Sequence, residues 1–408
     1  MKKIFITMPA ALLVFGLMIV SCSEEIVNDD SSAVGLKRAK VPLLDQGGLS
    51  DIEFLGKNLF FDQNLSANGK MSCATCHAPE AGFTGPDEMV NEMTAVYPGT
   101  IGNRFGNRKP PTAAYGGDSP ILYWDEDEEL WIGGMFWDGR ATGWTLGDPL
   151  AEQAMGPFLN PVEQAAPTAK FIVDCAVKSK YAYLFSLVFD DFNPMNVEMS
   201  YEQIARAISA YEKSSEVNPF SSKFDAYLKD YTVFTEQEKW GLELFNSEDK
   251  GKCALCHLSD GPAPLFTDFT YDNLGIPKNP DNPFYMMDEE INPDGMAWID
   301  MGLGGFLKSI GMPYEDEIGK HKVPTLRNVD KRPHEGFVKA FGHNGYFKSL
   351  EEIVHFYNTR DVPEENWPLA EVPETVNTDE LGNLGLTLEE EAAIVAFMRT
   401  LSDGYTGM

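Results

Sequence analysis

The sequence predicts a mainly α protein built from two related helical domains joined by long loops, and three observations carry that prediction. Helical periodicity recurs along the chain, while no segment shows strand alternation over its length. The segment Leu49–Phe60 (LSDIEFLGKNLF) has a counterpart at Phe234–Phe245 (FTEQEKWGLELF). Stretches rich in Pro, Gly and Asn, such as 97–120 and 261–284, separate the helical segments. Loops of that length are unusual in compact domains unless they wrap something.

Size and charge set further bounds. A chain of 408 residues is long enough for two or three domains, each with a real core. Its 43% hydrophobic content excludes wholesale disorder. The formal charge is −31, from 32 Lys+Arg against 63 Asp+Glu. That excess argues against nucleic-acid binding, which neutralises phosphates with basic side chains, and against an anionic lipid surface. It suits a basic partner, although solubility alone also accounts for it.

The chain opens with Lys2-Lys3, an apolar run from Ile4 to Val20, and Ser21-Cys22. A short basic segment, an apolar stretch and small residues before a cut site predict export. Ile19-Val20-Ser21-Cys22 resembles a bacterial lipobox, so residues 1–21 are expected to be a lipoprotein signal peptide and Cys22 the lipidated residue. An uncleaved membrane anchor is the alternative. No comparable apolar run follows, so the only membrane attachment expected is through that N-terminal lipid, in the periplasm or cell envelope. Residues 22–45 are expected to form a flexible tether.

The repeat sets the domains at 46–232 and 233–408. Ser50 matches Thr235, Glu53 matches Glu238 and Gly56 matches Gly241. Both copies open with the S/T-x-x-E capping box, which satisfies free amides at a helix start. Ile52, Leu55 and Leu59 in one copy, and Leu242 and Phe245 in the other, give each helix an apolar face. Further helices are predicted over Tyr201–Tyr211, Leu350–Tyr357 and Leu388–Leu401, the last with a Thr387/Glu390 box.

The six Cys and six His are the most informative residues. Behind each repeated helix stands a C-x-x-C-H motif: Cys73-Ala-Thr-Cys76-His77 and Cys253-Ala-Leu-Cys256-His257. This is the attachment signature of c-type haem. Two thiols on one helical turn add to the haem vinyl groups, and the adjacent His reaches the iron. Zinc or a disulfide would suit one isolated motif. Two copies behind the same capped helix in an exported chain select two covalently bound haems. Cys175, in the apolar run FIVDCAV, reads as a buried inert thiol.

The remaining histidines, His321, His334, His343 and His355, all follow the second motif. The first haem therefore finds no second His within its own half. Met89, Met93, Met135 and Met155 are alternatives, although Met more often fills a core. An iron left five-coordinate is what peroxide or oxygen chemistry needs.

With these motifs in place, the chain resembles the bacterial di-haem cytochrome c peroxidase/MauG family. The resemblance rests also on Phe136-Trp-Asp-Gly-Arg-Ala141, Gln153, Pro157, Asn160-Pro-Val-Glu163, Val323-Pro-Thr-Leu-Arg-Asn-Val329 and Gly342-His-Asn-Gly-Tyr-Phe347. It implies two cytochrome c-like domains with loops that wrap the haems. The N-terminal haem would react with peroxide and the C-terminal haem would receive and store electrons. Trp137 matches a tryptophan between the haems, an expected relay; a core Trp is the alternative. Gln153 and Pro157 match residues over the first haem, and Glu163 matches the carboxylate that moves a proton between the peroxide oxygens. Without the motif, Glu163 reads as a solvated surface acid. Extra residues around Gly143 to Pro149 leave the shape of this pocket open.

The ligand opposite His257 divides the family into a Met-bearing branch and a MauG-like branch with Tyr. The matching position after His343 is Tyr357, which fits either a ligand or an ordinary core Tyr. His355 should point elsewhere. The family also carries an inter-haem calcium held by an Asn, but Lys109 occupies that position here, and an ammonium group cannot ligate a cation. Asn107 is a neighbouring substitute.

The expected function is reduction of H2O2 to water with electrons from an external donor, such as a small and basic cytochrome c. A MauG-like oxidase acting on a protein or small molecule is the second reading, supported by Tyr357. A non-catalytic electron-transfer cytochrome is the third, disfavoured by the open first iron.

Overall fold

The computed structural model describes residues 46–407. The expected signal peptide, Cys22 and the tether to residue 45 lie outside the described residues. Among the described residues, twelve α-helices follow one another: α1 (Asp51–Phe60), α2 (Cys73–Cys76), α3 (Glu88–Met93), α4 (Pro149–Leu159), α5 (Ala169–Lys178), α6 (Tyr183–Val188), α7 (Val197–Glu212), α8 (Lys223–Leu228), α9 (Glu236–Phe245), α10 (Gly302–Ser309), α11 (Leu350–Thr359) and α12 (Leu388–Arg399). The helices predicted over Tyr201–Tyr211 and Leu350–Tyr357 lie within α7 and α11, and the one predicted over Leu388–Leu401 ends two residues earlier, at Arg399. The fold is cytochrome c-like and mainly helical.

Two antiparallel pairs interrupt the helices. The strands β1 (Tyr123–Asp125) and β2 (Leu130–Ile132) form a hairpin, with Trp124 opposite Trp131. The strands β3 (Tyr271–Asp272) and β4 (His321–Lys322) pair Tyr271 with Lys322 and Asp272 with His321. Strands this short carry no readable alternation, which is why the sequence does not reveal them.

The capping boxes form as expected. Ser50 N–H donates to Glu53 Oε2 at 2.7 Å, and Thr235 N–H donates to Glu238 Oε2 at 2.7 Å. Each box starts a helix that crosses a second one at a glycine. A methyl group on Gly56 would sit 1.8 Å from the Ala207 carbonyl oxygen, and one on Gly241 would sit 1.9 Å from that of Ala393. Beyond that carbonyl group stands Cβ of Tyr211 in the first crossing and Cβ of Phe397 in the second, each at 2.9 Å. Only glycine lets the two backbones meet this closely. The duplication therefore extends to α7 and α12, beyond the matched segments.

Each crossing anchors an apolar core. Leu55, Leu59, Phe60, Ile172, Ile204, Ile208 and Tyr211 gather in one cluster. Phe224, Phe245, Phe266, Leu350, Phe356, Ile394 and Phe397 gather in the other. Burial of each large side chain stabilises by roughly 1.5–3 kcal/mol. Between the clusters lies Arg327, which is 1% exposed. Its guanidinium donates to both Asp225 oxygens at 2.8 Å and to the Pro264 carbonyl at 2.8 Å, and lies 4.6 Å from the Phe220 ring centre.

Cys175 is buried in α5, within the first apolar cluster, as its run FIVDCAV predicts.

Candidate active site

The two C-x-x-C-H motifs sit in matching frames. His77 Nδ1 lies 3.1 Å from the Phe83 carbonyl, and His257 Nδ1 lies 2.8 Å from that of Phe266. A carbonyl only accepts, so Nδ1 carries the proton and Nε2 is left bare, as an iron ligand requires. Both phenylalanines adopt left-handed backbone, with φ of 57° and 55°, which is uncommon for a bulky residue. Burial lowers His77 to about 4, against the pull of the Phe83 and Pro111 carbonyls, and so keeps the ring neutral. His257 is lowered for the same reason.

A second loop braces each frame. Thr84 Oγ1 donates to Pro110 O at 2.7 Å and Thr112 Oγ1 to Gly82 O at 2.8 Å. In the other half, Thr267 Oγ1 donates to Val323 O at 2.7 Å and Thr325 Oγ1 to Leu265 O at 2.5 Å. The loops 97–120 and 261–284 thus wrap the histidines, as their length suggested. This brace was legible as Lys-Pro-Pro-Thr at 109–112 against Lys-Val-Pro-Thr at 322–325, a match the sequence reading missed.

Trp137 bridges the two frames. Its indole Nε1–H donates to Lys109 O at 2.9 Å, and its carbonyl accepts from Lys322 N–H at 2.8 Å. Lys109 and Lys322 are equivalent positions of the repeat. Burial lowers them to about 8 and about 7 respectively.

Around the first motif, Gln153 and Pro157 lie four residues apart on α4, and the turn that follows carries Glu163. The Glu163 carboxylate accepts from Asn160 Nδ2 at 3.0 Å. Burial raises its pKa, outweighing the opposing influence of Arg140 and the Asn160 amide. Its charge in turn disfavours the Cys76 thiolate. Among the described residues, Gln153 makes no hydrogen bond to Glu163. Met89 and Met93 are 68% and 60% exposed.

The segment Gly143–Pro149 folds over a carboxylate. Glu152 accepts from the backbone N–H of Gly143, Thr145 and Leu146 at 2.7–2.8 Å. Asp148 caps α4 through Leu150 N–H at 3.0 Å and pairs with Lys213 at 2.7 Å. The extra residues therefore form an ordered rim at the start of the helix that carries Gln153.

The second motif opens into a cavity. Cys253, Cys256, His257, Trp137 and Tyr357 all line it. The Tyr357 phenol is raised well above its ordinary value by burial, then by the nearby cysteines and Asp272. His355 turns away as expected: Nδ1 lies 2.9 Å from Glu391 Oε1 and Nε2 lies 3.3 Å from Glu365 Oε2. Burial works against its charged form, but the two carboxylates prevail and hold its pKa up.

Two histidine frames joined by one tryptophan define a di-haem cytochrome c-like protein. The description of di-haem cytochrome c peroxidase matches residues 51–232. MauG, the methylamine utilization protein of Paracoccus denitrificans, is 35% identical over 371 residues, covering 86% of this chain and 88% of that one. The cytochrome c551 peroxidase of Nitrosomonas europaea is 28% identical over 86% of this chain and 80% of its own. Among solved structures, the di-haem peroxidase BthA from Burkholderia thailandensis superposes with a TM-score of 0.73 at 30% identity, over 86% of each chain. The chain belongs to the di-haem cytochrome c peroxidase/MauG family. It is an oxidoreductase.

Proposed function

We propose that the protein reduces H2O2 to water at the His77 haem, with electrons drawn from an external donor such as a small, basic cytochrome c. The observation that carries this reading is the asymmetry of the two sites. The second cavity sets Tyr357 among the residues that face His257. The first motif is accompanied by a shielded carboxyl, Glu163, and no His occurs between Ala78 and Cys256.

Haem c, held through thioethers at Cys73 and Cys76 and at Cys253 and Cys256, supplies the redox chemistry. The protein supplies position and protons. Glu163, with its pKa raised by burial, takes a proton from one peroxide oxygen and returns it to the other. The Asn160 amide fixes the carboxyl that does this. Gln153 and Pro157 form the helical wall beside it. Trp137 spans the two histidine frames and is the relay between them. Tyr357, which lines the cavity with His257, would be the second protein ligand of that haem, and its phenolate oxygen would lower the potential relative to Met.

Calcium does not fit the Lys109 position. Its ammonium group donates to Pro110 O at 3.1 Å, and Lys339 lines the same small recess beside Ala340. Two buried ammonium groups there repel a divalent cation. The domain division falls at residues 232/233, and the chain works outside the cytoplasm, attached by lipid at Cys22.

A MauG-like oxidase acting on another protein or a small molecule is the second reading. Tyr357 and the 35% identity to MauG favour it.

Steady-state consumption of H2O2 with reduced basic cytochrome c as donor tests the first reading. Turnover, with a high-spin ferric signal in the EPR spectrum of the oxidised protein, is expected. Two low-spin signals and no turnover would overturn it.

A further inference from the structure

Outside the haem frames, the hairpin of β1 and β2 carries large apolar side chains to the surface. Tyr123 and Trp124 are 43% and 37% exposed, and Ile121 just before them is 43% exposed. Trp144, 50% exposed, joins them, with its indole N–H donating to the Leu122 carbonyl at 2.7 Å. At the tip of the hairpin stand five consecutive acids, Asp125-Glu-Asp-Glu-Glu129. We propose that this aromatic and acidic face is the docking surface for the electron donor, a basic redox protein of the small c-type cytochrome class, a role that rests on the peroxidase reading above.

The acids at the tip do little for the fold. Asp125 Oδ1 accepts from the N–H groups of Asp127 and Glu128 at 3.0 and 3.1 Å and so holds the turn. Among the described residues, the side chains of Glu126, Asp127, Glu128 and Glu129 form no hydrogen bond or ion pair, and all four are exposed. No Lys or Arg occurs between Lys109 and Arg140 to offset them. Such a block of like charge repels itself and is relieved by a positive partner, which it also steers toward the surface. An anionic lipid surface is repelled. The exposed Trp and Tyr rings supply the contact area that protein interfaces favour. Trp144 belongs to the extra segment Gly143–Pro149, so residues beyond the family pattern help to build this face.

Continuity with the interior selects a redox protein among basic partners. Trp124 stands opposite Trp131 in the hairpin, with ring centres 5.9 Å apart. Trp131 is buried in one cluster with Tyr271, whose hydroxyl donates to the Gly133 carbonyl at 2.6 Å. Tyr271 pairs with Lys322, and Lys322 N–H donates to the Trp137 carbonyl at 2.8 Å. Asp272, the next residue, lines the cavity that holds His257. Aromatic side chains therefore lead from the exposed face to the strand pair that touches Trp137. Reduction of one H2O2 to two waters takes two protons and two electrons, so two donors dock in turn and each leaves oxidised by one electron.

The test uses the di-haem holoprotein, with basic mitochondrial cytochrome c as the probe. Binding is read by titration calorimetry with both proteins oxidised, so no turnover is needed. Glu126→Lys/Asp127→Lys/Glu128→Lys reverses the tip and leaves Asp125 in place, and Trp124→Ala removes the central ring. Glu243→Lys/Glu248→Lys/Asp249→Lys makes the same change of net charge in and after α9, near the second C-x-x-C-H motif. At about 0.1 M salt, where exposed charges more than about 10 Å apart are largely screened, both hairpin variants should bind at least about tenfold more weakly at unchanged haem content. The α9 variant should stay within about threefold of wild type. In the hairpin variants KM for the reduced cytochrome should rise, while peroxide turnover with a small-molecule reductant stays unchanged.

No binding by the wild type would overturn the docking surface, as would wild-type affinity in both hairpin variants or an equal loss in the α9 variant. A concentration-dependent dimer that the hairpin variants abolish would assign the face to a second copy of the chain and overturn it too. Binding lost in the hairpin variants alone, with no peroxide turnover by the wild type, would uphold the surface and sink the peroxidase reading. If Trp124→Ala fails to accumulate as holoprotein, the tip variant decides alone.

Discussion

The indole of Trp137 donates to the backbone carbonyl of Lys109 across 2.9 Å. Lys109 stands two residues before Pro111, whose carbonyl faces His77. The Trp137 carbonyl holds Lys322, two residues before Pro324, which stands in the same relation to His257. One residue therefore touches both loops that face the histidines. Trp137→Phe keeps an aromatic ring of smaller size and loses the indole bond. It should retain both haems, lose about 1 kcal/mol of stability, and slow donor-dependent turnover. Steady-state peroxide assays, with haem quantified in parallel, check this.

Glu163 should matter for rate and not for assembly. Glu163→Gln is expected to lower peroxide turnover by about 10²–10⁴-fold at equal haem content. A protonated carboxyl cannot take the peroxide proton, so the wild-type rate should fall as pH drops below the raised Glu163 pKa. The Gln variant should lack that acidic limb. A pH–rate profile of both proteins decides.

Tyr357→Phe removes the phenol oxygen and leaves the apolar contacts of α11. The absorption and EPR spectra of the second haem should change while those of the first do not. Identical spectra would make Tyr357 a core residue.

Glu212 sits in α7, 4% exposed, with Oε2 lacking a partner. Burial, then the Asp148 charge, raises its pKa from 4.5 to about 8. Between those values the folded protein holds a proton that the unfolded chain releases. The contribution of Glu212 is therefore complete below pH 4.5 and is lost as pH rises through about 8. Glu212→Gln should stabilise the protein relative to wild type at pH 9 and make little difference at pH 4. Thermal melts at the two pH values measure the difference.

The glycine crossings should resist any side chain. Ala is the better helix former by about 1 kcal/mol, yet a methyl at Gly241 would lie 1.9 Å from Ala393 O. Gly241→Ala should cost about 1–3 kcal/mol or more, read by urea unfolding. A gain in stability would show that the α9–α12 crossing tolerates the added volume.

Much of this protein is determined by short stretches of its sequence. The capping boxes at Ser50, Thr235 and Thr387, the helical periods and the two C-x-x-C-H motifs depend on residues within a few positions of one another. Local hydrogen bonding and spacing suffice to read them. The family resemblance added Trp137, Glu163 and Tyr357, whose types alone left surface or core roles open.

Other features exist only once distant segments meet. Gly56 and Gly241 look like ordinary helical glycines until α7 and α12 press against them. The Pro111 and Pro324 loops reach the histidines across gaps of more than thirty residues, and β3 and β4 are too short to signal themselves. Asp300, His321 and His343 come together from three separate segments. Burial and close contact are properties of an enclosed volume, so they appear only when the chain has folded around it.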